Sequence, residues 1–254
     1  MAHSKIATFA VIDLETNGLP DLQFNKCSIT ELSIIAFSSE YEEEKQTEGQ
    51  STTFGKEDHL LSRNSIPELP RALHKLSLMV NPLGSICPEA EKETGLNNWM
   101  LEHERPFDKG TADLLISFLQ RLQQPVCLVA HNGLGFDFPV LRYVMKKLDL
   151  KFPSSILCVD SWKAFEAIDA DMEMNNYNNN EMPADIENAN EDVTRENDNE
   201  QRIFQEDFND LHRAENDVVV LSKLILHYGL AFIEYANSNA LSLNDVPSLD
   251  ERKT

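Results

Sequence analysis

The sequence predicts a single α/β domain in which helices cover a mixed β-sheet. Two long apolar runs, 6–12 and 30–37, come first, and short apolar runs alternate with helical periodicity from residue 109 onward. Strands followed by alternating helices and strands are typical of a mixed sheet with helices packed on it. The length of 254 residues allows one large domain with a substantial core.

The N-terminal half supplies most of the predicted strands. The run 6–12 is typical of a buried strand, and 30–37 is expected to pair with it as a hairpin or meander. The polar stretch 40–57 is predicted to form a loop that leads into a third strand near 52–54. The stretch 71–80 is predicted to be a loop followed by another strand.

Helices and strands alternate through the middle of the chain. Two short helices are predicted at 88–94 and 97–103, the first of which begins with a proline that suits a first helical turn. A longer helix is predicted at 109–123, where leucine and phenylalanine recur at helical spacing. The elements that follow are the strands 126–130 and 156–159 and the helices 136–150 and 161–168.

The domain is expected to span residues 1–238 and to contain one insert. The acidic, asparagine-rich stretch at about 169–206 has few apolar anchors, which indicates a disordered insert. Helical patterns resume at 214–228 and 230–236. Residues 239–254 are predicted to be a flexible tail.

Composition narrows the class of protein. A hydrophobic fraction of 41% suits a globular protein, and no apolar run reaches the length that spans a bilayer. No secretory signal is recognised at the N-terminus. The net charge of −21 disfavours a nucleic-acid partner at first sight, but much of the acid lies in the predicted insert. Because net charge does not report the local field of a cleft, such a partner remains open.

The cysteines indicate reduced thiols. Four of them are widely spaced, without a C-x-x-C pair, and three lie in apolar or strand-like contexts. This pattern favours a reducing compartment and disfavours a zinc site.

Two acidic residues end the first strand. Asp13 and Glu15 share one face because side chains two apart on a strand point the same way. Carboxylates held this close repel each other, and oxygen ligands suit a hard cation such as Mg²⁺ or Mn²⁺. The alternative is a solvated pair that flanks a turn.

A third acidic residue follows a later buried strand. Asp137 comes after the glycine-containing turn that starts at His131, and Pro139 fits the first turn of the helix. Asp137 is therefore placed at a helix N-terminus. It could serve there as a ligand or simply as a residue favoured by the helix dipole.

A histidine and a fourth acidic residue lie around the start of the predicted helix 214–228. Asp217 begins the apolar run, where a carboxylate is costly unless it is paired or metal-bound. His212 precedes Asp217 by five residues, so on one ideal helix the two side chains would lie on different faces. His212 is therefore predicted to lie on the loop that enters the helix, where it can swing over the site. The alternative is a surface histidine in a polar loop.

The order Asp, Glu, Asp, His, Asp resembles that of the DEDDh exonucleases, the DnaQ-like branch of the ribonuclease H-like fold. The three-prime repair exonuclease family is similar in more detail. The segments that carry this resemblance are 13–20, 128–133 with 137–139, and 212–217, supported by 76–78, 94–96 and 158–161. Glu93 stands where that family usually has an aliphatic residue, and the insert replaces a usual segment rich in Ser, Tyr and Leu.

The resemblance implies a ribonuclease H-like fold and hydrolysis of the last phosphodiester at a 3′ end with two Mg²⁺ ions, for which Mn²⁺ can substitute. Asp13 would bridge both ions, Glu15 and Asp217 would hold the ion that carries the attacking water, and Asp137 would hold the other. His212 would be the general base, since an unperturbed imidazole titrates near pH ~6.5.

The resemblance also implies substrate contacts. Leu19, followed by Pro20, would wedge against the terminal bases and favour single-stranded or frayed ends, although a turn leucine can equally pack on its own core. Phe136 would stack on a base or sugar, or serve as a core residue at the helix start. Thr16, Thr94 and Leu96 are placed near the terminal nucleotide by the resemblance alone.

Three functions stay open from the sequence. The first is a 3′-to-5′ DNA exonuclease, the second an enzyme of the same chemistry that acts on RNA or small oligonucleotides, and the third a binding module with weakened catalysis. The intact set of five residues favours the first two. The resemblance further implies a homodimer through edge strands, with 76–80 as the candidate edge. Because no membrane-spanning run is found, we expect no membrane partner and a cytoplasmic or nuclear location.

Overall fold

The fold is built on a single six-stranded sheet. The computed structural model describes residues 5–20, 26–40, 67–179 and 212–252. The strands are β1 Thr8–Thr16, β2 Ile29–Ser38, β3 His74–Met79, β4 Val126–Ala130, β5 Ile156–Asp160 and β6 Leu241–Ser242.

Both strand directions occur in the sheet. The strands lie in the order β3-β2-β1-β4-β5-β6. β1 pairs antiparallel with β2 and parallel with β4, which is itself parallel to β5. β3 and β6 add antiparallel edges. The predicted mixed sheet is therefore confirmed, and the carboxyl ends of β1, β4 and β5 meet at one edge.

Helices follow the predicted pattern closely. Proline begins the first of them, as the sequence predicts, and a glycine in the left-handed conformation ends it. The helices are α1 Pro88–Thr94, α2 Asn98–Leu101, α3 Lys109–Arg121, α4 Asp137–Lys147, α5 Ser161–Asn179, α6 Ala214–Tyr228 and α7 Leu230–Asn239.

The sheet separates two apolar cores, because successive residues of its strands point to opposite faces. Ile12 and Leu14 of β1 pack with α3 and α4 on one face. Phe9 and Val11 pack with α5, α6 and α7 on the other. Asp13 and Glu15 continue the second set along β1, so they lie on the face that α6 covers.

The predicted flexible tail is wrong for residues 239–252. After α7 the chain adds β6 to the sheet beside β5, and then makes two 3₁₀ turns, Leu243–Asp245 and Leu249–Glu251. Leu243, Leu249 and Val246 are buried in the core that α3 and α4 cover. The reason is that these spaced apolar residues bury against the sheet without any helical or strand periodicity.

This C-terminal segment, residues 241–252, is also tied to α4 and to the loop before it. Lys146 of α4 lies 3.0 Å from Asp250 and 2.9 Å from Glu251. Arg252 donates to the carbonyl oxygens of Leu134 and Gly135, in the loop that connects β4 to α4. The segment therefore belongs to the domain.

The predicted boundary of the insert is also shifted. α5 continues to Asn179, although its apolar pattern ends at Ile168, where Phe165 and Ile168 pack in the second core. The first part of the predicted insert 169–206 is thus helical. Its later part and the strand predicted near 52–54 lie outside the described residues.

Membrane-spanning potential is limited to one bent pair. Among the residues that the structure describes, no single helix is long and apolar enough to cross a bilayer. α6 and α7 pass the same test of length and composition only together, and the pair is bent by 101°.

Candidate active site

The site begins at the carboxyl end of β1. Asp13 and Glu15 follow a run of buried residues and lie opposite Ser33 and Glu31 of β2. The register shifts between Glu15 and Thr16, where the strand ends. The last carboxylates of β1 are thereby held on rigid backbone at the edge of the sheet.

α6 brings a third carboxylate to this edge. Asp217 lies in the first turn of the helix, and one of its oxygens accepts a hydrogen bond of 3.1 Å from the backbone N–H of His212. His212 lies before the helix, as its spacing predicts, and has a left-handed backbone with φ of 70°. Its imidazole is largely exposed.

The carboxylates of Asp13, Glu15 and Asp217 form a compact cluster. One oxygen of each lies within 4.8 Å of the others. Burial, followed by the charge of Asp13 and then that of Asp217, raises the pKa of Glu15 to about 9. Three acidic groups in this space repel one another strongly in the absence of a cation.

Asp137 approaches the cluster from the other side of β1. It is the first residue of α4, only 2% exposed, and its Oδ1 has no hydrogen-bond partner among the described residues. Burial, followed by the charge of Asp13, raises the pKa of Asp137 well above its usual range. Backbone N–H groups of Leu14 and of Asp137 itself donate to the carboxylate and oppose this shift.

The loop between β4 and α4 is packed too tightly for larger residues. A Cβ at Gly133 would lie 2.6 Å from the ring of Phe138, and one at Gly135 would lie 2.1 Å from the side chain of Asn132. The buried carboxylate of Asp160, at the end of β5, accepts a 3.0 Å hydrogen bond from the N–H of Leu134. These contacts set the path by which the loop delivers Asp137.

An open cavity of about 590 Å³ lies over the cluster. Its volume is in the range of small-ligand sites. All five predicted catalytic and metal residues line it. The described lining includes neither lysine nor arginine, but it adds the carboxylates of Glu89 and Glu93 from α1.

The predicted substrate residues divide into two groups. Thr16, Leu19, Thr94 and Phe136 line the cavity. Leu19 is 60% exposed, so the alternative of a turn leucine buried in its own core is wrong.

Pro20 and Leu96 lie elsewhere. Neither is among the residues that line the cavity, and both are buried. Leu96 packs with Ile86 and Leu101 in a small separate cluster, because it follows the glycine that ends α1 and turns inward. These two residues are thus placed as packing residues and not in contact with the cavity.

Glu93 is among the residues that line the cavity. One of its carboxylate oxygens lies 3.7 Å from Nε2 of His212. Both side chains are more than half exposed. The pair spans the mouth of the cavity between α1 and the loop that enters α6.

Several residues of the site were missed from the sequence. His131, Asn132, Glu89 and Cys87 line the cavity. The Sγ of Cys87 accepts a hydrogen bond of 3.4 Å from the N–H of Ala90 and so caps α1. The helical spacing of Glu89 and Glu93 could have shown that both lie on one face of α1.

Glu31 was also missed. It is buried within β2, directly opposite Glu15. A buried glutamate is unusual within a strand whose residues are otherwise apolar or small hydroxyl residues. That contrast within the predicted strand 30–37 is the signal that could have identified it.

The residues of the site fit a divalent cation. Three clustered carboxylates, a nearby buried carboxylate with an orphaned oxygen and raised carboxyl pKa values are features that a bound cation would relieve. The set contains oxygen ligands, which hard ions prefer.

Comparison with known proteins gives sequence relatives, although no protein-family model matches the chain. Three-prime repair exonuclease 1 of Bos taurus is 39% identical over 168 residues, which cover 65% of this chain and 49% of the relative. Three prime repair exonuclease 2 of Mus musculus is 27% identical over 237 residues, which cover 92% of this chain and 89% of the relative. The chain thus spans about half the length of the first relative.

A solved structure supports the fold. Exonuclease I of E. coli in complex with a dA16 oligonucleotide has a TM-score of 0.56 and 15% identity, and the match covers 90% of this chain and 42% of that one. The predicted ribonuclease H-like fold is confirmed. With the sheet, the convergent carboxylates and the sequence relatives taken together, the chain is similar to the three-prime repair exonucleases.

Proposed function

We propose that this protein is a 3′-to-5′ exonuclease that releases nucleoside 5′-monophosphates from DNA 3′ ends, preferring single-stranded or frayed ends. The observation that carries the proposal is the convergence of Asp13, Glu15 and Asp217, with their oxygens within 4.8 Å of one another, beside buried Asp137. Similarity to the three-prime repair exonucleases supports the direction of cleavage.

Mg²⁺ is the proposed cofactor, with two ions in each site and Mn²⁺ as a possible substitute. Asp13, Glu15 and Asp217 would hold one ion, and Asp13 and Asp137 the other. When bound, divalent ions supply charge stabilisation for the attacking and leaving oxygens of the phosphodiester. The described lining offers neither lysine nor arginine for this role.

His212 is the proposed general base. Its backbone is held to Asp217 by a 3.1 Å hydrogen bond while its imidazole stays exposed at the cavity. The imidazole can therefore turn toward a water beside the carboxylates and accept its proton at Nε2 or Nδ1. The carboxylate of Glu93 lies 3.7 Å from Nε2 of this imidazole.

The remaining cavity residues are proposed to hold the terminal nucleotide. Leu19 and Phe136 present apolar surface to the cavity, and Thr16 and Thr94 flank it. Aromatic side chains stack on bases without sequence preference, which suits an exonuclease. Leu19 would separate the terminal base from its pairing partner and so favour frayed ends.

DNA is proposed as the substrate, and RNA is the alternative that the test must separate. E. coli exonuclease I, which shares the fold, was solved with a DNA oligonucleotide. A protein distinguishes RNA from DNA through the 2′-hydroxyl. Among the described lining residues, the carboxylates of Glu89 and Glu93 on α1 could accept a hydrogen bond from such a hydroxyl, and Glu93 lies beside His212.

The test is a mononucleotide-release assay. A 3′-labelled single-stranded DNA, its RNA counterpart and a blunt duplex are incubated with the protein and Mg²⁺. We expect release from the single-stranded DNA that is faster than from the duplex, and its loss with EDTA or in Asp217→Asn. Asp113→Asn, an exposed aspartate on α3, is the matched control.

Each outcome assigns a function. Release from RNA alone would replace DNA with RNA as the substrate. Binding of the oligonucleotide without release would instead favour a binding module with weakened catalysis. Equal activity of Asp217→Asn and Asp113→Asn would remove the carboxylate cluster from the reaction.

A cytoplasmic or nuclear location is proposed from the thiols. All four cysteines are free, and three are buried. Free thiols persist in reducing compartments. Imaging of the fluorescently tagged full chain tests the proposal, and an extracellular or lumenal signal would contradict it.

A further inference from the structure

Glu31 is a buried carboxylate to which the proposed reaction gives no role. It is 4% exposed, lies on β2 opposite Glu15, and faces the side of the sheet that α6 covers. Burial raises the pKa of Glu31, and its charge in turn contributes to the raised pKa of Glu15. A neutral residue at this position would avoid both effects, so the carboxylate requires an explanation.

The N-terminus of α6 has no cap of its own. Arg213 occupies the N-cap position and makes no side-chain hydrogen bond to the first turn. The N–H groups of Asn216 and Asp217 bond to the carbonyl of Arg213 at 2.8 and 3.0 Å. The N–H groups of Ala214 and Glu215 are left without an acceptor within the helix, as is usual at this end.

Glu31 supplies the acceptor for both remaining groups. Burial raises the pKa of Glu31, and the backbone N–H groups of Ala214 and Glu215 lie near enough to its carboxylate to oppose that shift by hydrogen bonding. The contact crosses from β2 to α6, so it acts as a helix cap provided by another element. Capping by an oxygen acceptor stabilises a first turn, and a negative charge there suits the helix dipole.

The turn that Glu31 caps is the turn that carries Asp217. We propose that Glu31 is a positioning residue that fixes the first turn of α6 and thereby holds Asp217 against Asp13 and Glu15. The hydrogen bonds to Ala214 and Glu215 are one link, and the place of Asp217 in the same turn is the other. The part of this inference that concerns cation binding rests on the proposed function, whereas the cap does not.

Two other roles for Glu31 make different predictions. If Glu31 only adds negative charge near a cation, Glu31→Asp should preserve Mn²⁺ affinity and Glu31→Gln should not. If Glu31 caps α6, Glu31→Gln should preserve both the slow amide exchange of the first turn and the Mn²⁺ affinity, because the glutamine carbonyl oxygen has the same reach. Glu31→Asp should then fail because its oxygens are one methylene shorter. If Glu31 matters only for overall stability, the local readouts below should not change in a folded variant.

The first experiment measures amide hydrogen exchange by NMR in protein without metal. We expect exchange of the Ala214 and Glu215 amides to accelerate about two- to thirty-fold in Glu31→Ala and Glu31→Asp, the range expected from loss of a cap. Glu31→Gln should stay close to the wild type. Thr30→Val, a buried neighbour that points to the opposite face of β2, is the control and should change neither amide.

The second experiment measures Mn²⁺ affinity by titration calorimetry. We expect weaker binding in Glu31→Ala and Glu31→Asp, with Glu31→Gln retaining most of the affinity. In an Asp217→Ala background, Glu31→Ala should weaken binding no further, because it acts through Asp217. Circular dichroism identifies any variant that fails to fold, and the Asp and Gln variants then decide between the roles.

The outcomes separate the inference from the proposed function. Unchanged exchange at Ala214 and Glu215 in a folded Glu31→Asp would overturn the cap. Weaker Mn²⁺ binding in Glu31→Gln than in Glu31→Asp would overturn the positioning role. So would a loss of Mn²⁺ affinity on Glu31→Ala that is as large in the Asp217→Ala background as in the wild type. If the exchange results hold but the wild type releases no mononucleotide, the proposed function fails and the cap stands.

Discussion

His212 contributes two separate groups to the site, and a substitution can remove only one of them. Its backbone N–H holds Asp217, while its imidazole faces the cavity. Asparagine tolerates the left-handed backbone at this position, so His212→Asn removes the imidazole with little strain. We expect kcat to fall about a hundredfold, which is the scale of general-base catalysis.

Steady-state kinetics with single-stranded DNA measures this effect. His103→Asn is the control, since His103 is exposed and pairs only with Glu102 among the described ion pairs. A kcat for His212→Asn equal to that of the control would exclude the imidazole from proton transfer.

The raised pKa of Glu15 makes the stability of the metal-free protein depend on pH. The pKa is about 9 in the folded chain against an ordinary value of 4.5, so between these values the folded state binds a proton that the unfolded state releases. The free energy of unfolding should therefore decrease as pH rises through this window. The buried Asp137 shifts in the same direction and adds to the trend.

Thermal unfolding in EDTA at several pH values between 5 and 9 measures the trend. We expect Tm to fall with rising pH in EDTA and to be restored by Mg²⁺ most strongly at the alkaline end. Glu15→Gln should flatten the slope. A Tm that stays level or increases with pH in EDTA would show that the carboxylates are not destabilised in this way.

At the scale of elements, the C-terminal segment 241–252 is the clearest addition to what the sequence predicts. Leu249 is fully buried in the core that α3 and α4 cover. We expect Leu249→Ala to lower the free energy of unfolding by about 2–5 kcal/mol, the usual effect of truncating a buried leucine. Urea denaturation measures the change.

Leu114→Ala supplies the comparison for Leu249→Ala. Leu114 lies on α3 and is 47% exposed, so its truncation should cost less than about 0.5 kcal/mol. If the two variants were equally stable, residues 241–252 would behave as the flexible tail that the sequence suggested.

Sequence patterns predicted the regular elements because those elements have a period. The buried strands β1, β2, β4 and β5 and the helices α3, α4 and α6 all lie where apolar spacing placed them. The segment 241–252 has no such period, since a two-residue strand and two 3₁₀ turns place their apolar residues irregularly. Its position became evident only from the three-dimensional contacts with β5 and α4.

The catalytic and metal residues of the site, like the regular elements of the fold, could be predicted from the sequence. Each of the four acidic residues and His212 adjoins a recognisable element, so their convergence on one cavity could be anticipated. The contribution of α1 could not, because the packing of Glu89 and Glu93 over the cavity depends on the tertiary path of the chain. The same holds for Glu31, whose partners lie in a distant helix.

At the scale of the whole molecule, the free edge of the sheet bears on assembly. β3 is an edge of the described sheet, and Met79 on it is 41% exposed. We propose a homodimer formed by pairing of two β3 edges. Met79→Lys should dissociate it, because a lysine on an edge strand disfavours further pairing.

Light scattering coupled to gel filtration measures the mass of the assembly. We expect twice the chain mass of 28.9 kDa for the wild type and for Leu114→Lys, an exposed site on α3. If the wild type had the mass of a single chain at micromolar concentration, the protein would be a monomer and the proposed dimer would be wrong.

Cys87, whose sulfur caps α1, offers a site for selective chemical labelling. Cys87 lines the cavity, whereas the other three cysteines are buried and burial raises their pKa, to about 11 for Cys27 and about 12 for Cys158. Because the thiolate is the reactive form, a maleimide dye should attach to Cys87 in preference to the others. An oligonucleotide seated beside this thiol should slow the attachment, so the labelling rate would report occupancy without any turnover.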